Sequence, residues 1–159
     1  GLLADAAVGP VGPRQDRIAS VPHHSQMDDP RFVEMVEADP ALRLIDVRLD
    51  PVTVCREIAT AAHVFSASLH GLIVADAYGV PNTWMDPVDQ GRLKYHDYAA
   101  SIGRDMTYPI ENEDVPAAAR AVQDRPLPYS DGIARCRDSL LRHFPAELRA
   151  AQPDEVSHA

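Results

Sequence analysis

The sequence predicts an α/β domain, a Rossmann-like parallel sheet with helices on both faces. Three observations predict it. Short apolar runs alternate with helix-period segments from residue 18 to residue 85. Such alternation calls for parallel strands joined by helical crossovers. Two of the crossovers open on Asp-Pro, at Asp29-Pro30 and Asp50-Pro51; this places a capping carboxylate before the residue best suited to the first helical position. The chain has 159 residues and is 45% hydrophobic, enough to bury one core.

The elements follow in order. Residues 1–17 are rich in Gly, Pro and Ala and read as a loop or linker, expected to follow a further, N-terminal domain. Residues 18–22 form a short apolar strand whose C-terminal end runs into polar His23, His24, Ser25 and Gln26. A helix starts at Asp29-Pro30, carries Phe32, Val33, Met35 and Val36 at helical spacing, and stops at Asp39-Pro40. Residues 42–47 form the second strand. The next helix opens at Asp50-Pro51 and carries Val52, Val54, Cys55, Ile58 and Ala59. Residues 62–66 form the third strand, and Ser66 or Ser68 caps a helix that runs to Tyr78 and ends at Gly79. Residues 81–85 form the fourth strand.

Beyond the sheet the pattern loosens. Residues 86–98 begin as a loop and turn helical near Leu93. Pro109, Pro116, Pro126 and Pro128 make residues 109–131 irregular around one short alanine-rich helix. A last amphipathic helix spans 131–150, with Ile133, Cys136, Leu140, Leu141 and Phe144 on one side. Residues 18–150 thus form the domain, and 151–159 read as a disordered tail.

Net charge is −9 and the pI is near 5.1. No broad basic field exists to hold a nucleic acid or an anionic membrane, though a small cationic pocket remains compatible. No segment reads as a membrane span: the longest apolar run, residues 58–81, is broken by His63, Ser66, Ser68, His70 and Asp76. Cys55 and Cys136 lie far apart, match no metal spacing and read as two reduced thiols. The histidines lack ligand spacing with an intervening carboxylate, so no metal site is expected. Gly-x-Gly-x-x-Gly, a Walker loop and Gly-x-Ser-x-Gly are all missing from the sequence. Dinucleotide oxidoreductases, P-loop enzymes and α/β-hydrolases are therefore disfavoured.

Ligands of open parallel sheets bind beyond the C-terminal strand ends. His23, Asp46 and the run from Ser68 to His70 all fall at such ends. In Ser66-Ala-Ser-Leu-His-Gly71 a strand turns into a helix, whose first backbone N–H groups lack intrahelical partners and attract an anion. Gly71 permits close approach, and His70 can donate a proton near neutral pH. A second reading stays open here: a hydroxyl cap beside a histidine bonded to a carbonyl. Arg92, Lys94, His96 and Asp97 follow the fourth strand. The basic residues among them read as closing over an anion, or the group reads as a solvated turn with ion pairs.

The runs SASLHGLIVADAYGVPNTWM and GRLKYHDYAASIGR, with IASVPHHSQMDD upstream, resemble the C-terminal half of polysaccharide pyruvyl transferases. Those proteins show a Ser-Ser-x-Leu-His-Gly-Leu-Ile pattern and a later Lys-Phe-x-Asp-Tyr segment. The resemblance implies ketal pyruvyl transfer from phosphoenolpyruvate to two hydroxyls of one sugar in an exopolysaccharide or its lipid-linked precursor. It implies the C-terminal domain of a two-domain, GT-B-type transferase, cytoplasmic or peripheral to the inner membrane, with no cofactor beyond the donor substrate. It implies His70 as general acid and Ser66, Ser68 and Gly71 as an anion cradle. Lys94 becomes a phosphate contact with Arg92 behind it, and His23 a further cleft residue. Some relatives carry an arginine two residues before the histidine, where Ser68 stands here. The runner-up readings are a GT-B-like glycosyltransferase domain using a nucleotide sugar and a non-catalytic sugar- or phosphate-binding module. Homo-oligomerisation is left open.

Overall fold

A computed structural model describes residues 8–88, 90–122 and 125–146. Four strands form one parallel sheet: β1 (Ile18–Val21), β2 (Leu42–Leu44), β3 (His63–Ser66) and β4 (Asn82–Trp84). Their spatial order is β2-β1-β3-β4. Ser20 lies opposite Leu44 on one side and Phe65 on the other, and Phe65 lies opposite Thr83. The alternation read from the sequence is thus the architecture.

Helices α1 (Pro30–Glu37), α2 (Pro51–Ala59) and α3 (Leu69–Ala77) are the three crossovers. The Asp-Pro starts work as capping physics requires. The Asp29 carboxylate accepts from the Arg31 N–H at 2.9 Å, and that of Asp50 from the Thr53 N–H at 3.0 Å. Gly79, at φ +66°, turns the chain out of α3 in the left-handed conformation that glycine adopts without strain.

Two cores flank the sheet. Ala19, Val21 and Val64 pack with Ile58 of α2 and Ala75 of α3. On the opposite face Leu42 and Phe65 pack with Phe32 and Val36 of α1. That second face also receives Val115 and Ala119 of α5 (Val115–Arg120). This division follows from the strand order. The chain leaves β1 in one direction to reach β2, then crosses back over β1 to reach β3. Right-handed crossovers running in opposite directions place their helices on opposite faces.

At the β4 edge, α4 (Leu93–Ile102) packs Tyr95 and Ala99 against Leu72 and Trp84. Met85 bridges in parallel to Ile110, which extends that edge. The last helix, α6 (Ser130–His143), crosses α4 at Gly132, where an added Cβ would stand 1.7 Å from the Ile102 carbonyl oxygen.

Several boundaries differ from the sequence reading. Strand β2 ends at Leu44 rather than at 47, and the Asp46 carboxylate instead accepts from the Arg48 N–H at 2.9 Å. Helix α6 ends at His143 rather than at 150. Phe144 precedes Pro145 and is extended, at φ −64° and ψ 127°, because the proline ring disfavours helical backbone in the residue before it. Leu140, Leu141 and Phe144, expected on one packed side, are exposed. Residues 147–150 and the expected tail at 151–159 lie outside the described residues, as do residues 1–7 of the expected linker. The rest of that linker is pinned: the Gln15 N–H bonds the Thr60 carbonyl at 2.7 Å, and the Arg14 guanidinium bonds the Gly79 carbonyl.

Candidate functional site

The strand order reverses between β1 and β3, and a crevice opens beyond their C-terminal ends. It holds a cavity of about 460 Å³, within the range of small-ligand sites. Its walls are unlike one another. One is aliphatic, built by Val47, Val54, Cys55 and Ile58 from the β2–α2 side, with Val74 of α3. The other is polar, built by His23, His24, Ser68, His70 and Lys94. No carboxylate lies among the described residues that line it. Lys94 is the one ammonium or guanidinium side chain among them.

Each polar group is placed by its own element. His23 follows β1 and caps a 3-10 turn over His24–Asp28, with its ring accepting from the Ser25 N–H and its backbone N–H bonded to Gln26 Oε1. Its Nδ1 lies 2.8 Å from the Ser25 hydroxyl, and its ring lies 4.2 Å from that of His24. Burial, then the neighbouring His24 and Lys94, depress the His23 pKa below the usual imidazole value, which favours the neutral ring. His70 is the second residue of α3 and is exposed toward the opening. Lys94 comes from the first turn of α4; its ammonium bonds Gln90 Oε1 at 3.2 Å and lies 5.3 Å from the centre of the Tyr95 ring.

The start of α3 is narrower as an anion cradle than the sequence suggests. The Ser68 N–H is taken by the Ser66 hydroxyl at 3.1 Å. The remaining donors are the N–H groups of Leu69, His70 and Gly71, which have no intrahelical partner at those positions. The Ser68 hydroxyl stands at the cap position and makes no capping bond.

Two predicted site residues sit elsewhere. Ser66 is fully buried and does not line the cavity; its single hydroxyl proton is shared between the carbonyls of Val21, at 3.1 Å, and Ser68, at 2.9 Å. It fastens the β3–α3 turn to the end of β1. Arg92 precedes α4 and is exposed, outside the residues that line the cavity. Gly71 does line it, but its missing side chain serves packing. An added Cβ would come 2.3 Å from the Ser66 hydroxyl oxygen and 2.9 Å from Val21 Cγ1. Among the described residues, no group of three or more His, Cys, Asp or Glu side chains converges to hold a metal ion. Cys55 and Cys136 are free thiols, and burial pushes that of Cys55 up. No helix of the described residues is long and apolar enough to cross a membrane.

Sequence reasoning missed the aliphatic wall and the Tyr95 phenol. The valines of α2 read equally well as core. The tyrosine's neighbour, Lys94, was the available signal.

Fold and crevice together define a class: a Rossmann-like α/β domain whose switch-point cleft sets a helix start, imidazoles and a lysine against an aliphatic wall. Residues 11–89 match the family model described as polysaccharide pyruvyl transferase, and that segment of the chain belongs to this family. The segment contains all four strands and the first three helices, while Lys94 and Tyr95 lie just beyond it. The uncharacterized protein L143 of Acanthamoeba polyphaga mimivirus is 29% identical over 90 residues, which cover 52% of this chain and 31% of that protein. The chain therefore spans about a third of the length of the curated relative it matches. No solved structure matches the chain at comparable significance.

Proposed function

We propose that the cleft is the donor site of a transferase that moves a pyruvyl group from phosphoenolpyruvate onto two hydroxyls of one sugar. The observation that carries this reading is the meeting of the α3 start, His70 and Lys94 in one cavity beyond the sheet. Phosphoenolpyruvate is small and carries a carboxylate and a phosphate. The N–H groups of His70 and Gly71, with the helix dipole behind them, suit one anionic group, and Lys94 suits the other. Lys94 thereby supplies the charge that an arginine at the position of Ser68 supplies in some relatives.

The chemistry balances as follows. The His70 imidazolium gives a proton to the methylene carbon of the enol, turning it into the methyl group of the ketal. A sugar hydroxyl adds to the adjacent carbon and loses its proton to water. A second hydroxyl of the same sugar then displaces phosphate at that carbon, and its proton leaves with the phosphate or with the reset histidine. A positioned acid contributes about 10²–10⁴-fold to such a step. The aliphatic wall keeps water from the enol carbon and strengthens the polar contacts opposite. The saccharide acceptor, the companion domain of a GT-B-type enzyme and a cytoplasmic setting belong to the same proposal. A nucleotide-sugar donor fits the cleft less well, because the described lining offers no carboxylate for a ribose.

Thermal unfolding in the presence of each donor tests the reading. A ligand held by the native state at 100 times its Kd stabilises by about 2.7 kcal/mol. Phosphoenolpyruvate is expected to raise Tm, and a nucleotide sugar to leave it unchanged. In the enzymatically complete protein, His70→Gln is expected to lower turnover at least about 100-fold without shifting Tm. Stabilisation by the nucleotide sugar alone, or turnover within a few-fold of wild type, overturns the proposal.

A further inference from the structure

We infer that Tyr95 is a positioning residue that aligns the two halves of the anion site, the start of α3 and the ammonium of Lys94. The inference rests on the anion-binding reading of the cleft.

Tyr95 is completely buried and lies outside the cavity, so it acts through other groups. Its ring is stacked on that of Trp84, with centroids 4.8 Å apart and planes 21° apart, which fixes the ring's orientation. Its hydroxyl donates to the Ala67 carbonyl at 2.6 Å. Ala67 is the first residue of the β3–α3 turn, and its own N–H is bonded to the Val21 carbonyl at 3.0 Å. The Tyr95 hydroxyl thereby ties α4 to the turn that sets the start of α3, where the Ser68 hydroxyl makes no capping bond. A helix start normally relies on its own cap residue for this. Here the turn is held from α4, a different element, and the first N–H groups of α3 are left to face the cleft.

The same ring also carries Lys94. The ammonium lies 5.3 Å from the ring centre, within cation–π range. A lysine on a flexible stem costs rotamer entropy to localise, and an aromatic platform reduces that cost. One buried side chain thus sets the height of the α3 start by its hydroxyl and the place of the ammonium by its face. Both then address one small anion.

The test compares Tyr95→Phe, Tyr95→Leu and Lys94→Met. Binding of inorganic phosphate and of phosphoenolpyruvate is followed by the amide shift of His70, with urea unfolding measured alongside. Tyr95→Phe keeps the stack and the platform but loses the hydroxyl. It is expected to weaken anion binding about three- to tenfold, the worth of one hydrogen bond, while remaining folded. Tyr95→Leu is expected to weaken it further. That further loss should vanish in the Lys94→Met background, because the platform then has nothing to hold; a merely structural tyrosine would show full additivity. Anion binding of Tyr95→Phe within twofold of wild type overturns the inference, as does additivity of Tyr95→Leu with Lys94→Met. If Tyr95→Leu does not fold, the Tyr95→Phe result decides. Binding of phosphate but not of phosphoenolpyruvate, with the same sensitivity to Tyr95, removes the proposed donor and leaves the inference standing. Absence of binding by either anion in the wild type removes both.

Discussion

The two ends of α3 both gather polar side chains, and they differ in what they leave unbonded. His70, at the start, is exposed beside a Ser68 hydroxyl that caps nothing. Asp76, about 9 Å further along the axis at 1.5 Å per residue, is 2% exposed and bonded on every side. One carboxylate oxygen accepts from the Asn82 amide at 2.7 Å and the Tyr129 hydroxyl at 3.0 Å. The other accepts from the Tyr98 hydroxyl at 2.8 Å and faces the Arg104 guanidinium at 3.4 Å. Arg104 also bonds the side chain and backbone of Asn82 and lies 5.0 Å from the centre of the Tyr129 ring. Burial, with the Asp76 charge beside them, pushes the phenols of Tyr98 and Tyr129 far above their usual pKa. A network closed on itself has no capacity for a ligand. It joins α3, β4 and α4 to Tyr129 at the foot of α6. Spare hydrogen-bond capacity, more than the mere presence of charge, separates the candidate site from this hub.

The sharpest way to break the comparison is Asp76→Ala. It leaves Arg104, whose side chain is 7% exposed, buried without its counter-charge. Removing one partner of a buried pair costs about 3–5 kcal/mol. The urea midpoint is expected to fall accordingly, while anion binding by the remaining folded protein is unchanged. A loss below about 1 kcal/mol would mean that the hub is not what fastens α4 and α6 to the sheet.

A second effect is expected from pH. His63 begins β3 at the hub's end of the sheet. Its Nε2 lies 2.9 Å from the Thr83 hydroxyl, while Nδ1 is buried with no partner. Burial first, then the nearby Arg104, lowers its pKa from 6.5 to about 4. The unfolded chain therefore takes up a proton between those values when the folded chain does not. Stability is full above pH 6.5 and declines as pH falls toward 4, by up to about 3 kcal/mol at about 1.4 kcal/mol per unit. Urea unfolding of wild type and His63→Gln at pH 7 and 4.5 separates this residue from carboxylates common to both proteins. The variant is expected to lose less stability between the two pH values. Equal losses would remove His63 from the account.

The fold was more legible than either cluster. Alternating apolar runs and Asp-Pro caps are local signals, and they gave four strands and three crossovers. The end of α6 was misjudged because helical periodicity outweighed Pro145, the local breaker. His23, His70 and Lys94 could be found because each follows a strand end, and strand ends of parallel sheets converge. The commitments of the Ser66 hydroxyl could not, because its partner at Val21 is 45 residues away and becomes a neighbour only through the β1–β3 pairing. The partners of Asp76 at positions 104 and 129 were hidden for the same reason. The sequence shows donors and acceptors, and the topology decides which satisfy each other.

Gly71 tests that distinction most finely, because it touches both the cleft and the packing beneath it. If the missing side chain serves only a ligand's approach, Gly71→Ala should weaken anion binding and leave Tm in place. The geometry argues otherwise. The new methyl group would press on the Ser66 hydroxyl at 2.3 Å and on Val21 Cγ1 at 2.9 Å. Ser66 cannot swing aside freely, since its hydroxyl is bonded to the carbonyls of Val21 and Ser68 and to the Ser68 N–H. Overpacking of this kind costs about 1–3 kcal/mol, slightly offset by the helix preference of alanine over glycine. Relief must come from moving the start of α3 off the sheet, which would also carry the His70 and Gly71 N–H groups out of line with Lys94. Calorimetry and phosphate titration of the one variant are expected to show both losses together. An unchanged Tm with weakened binding would return Gly71 to the ligand and make the contact with Ser66 incidental.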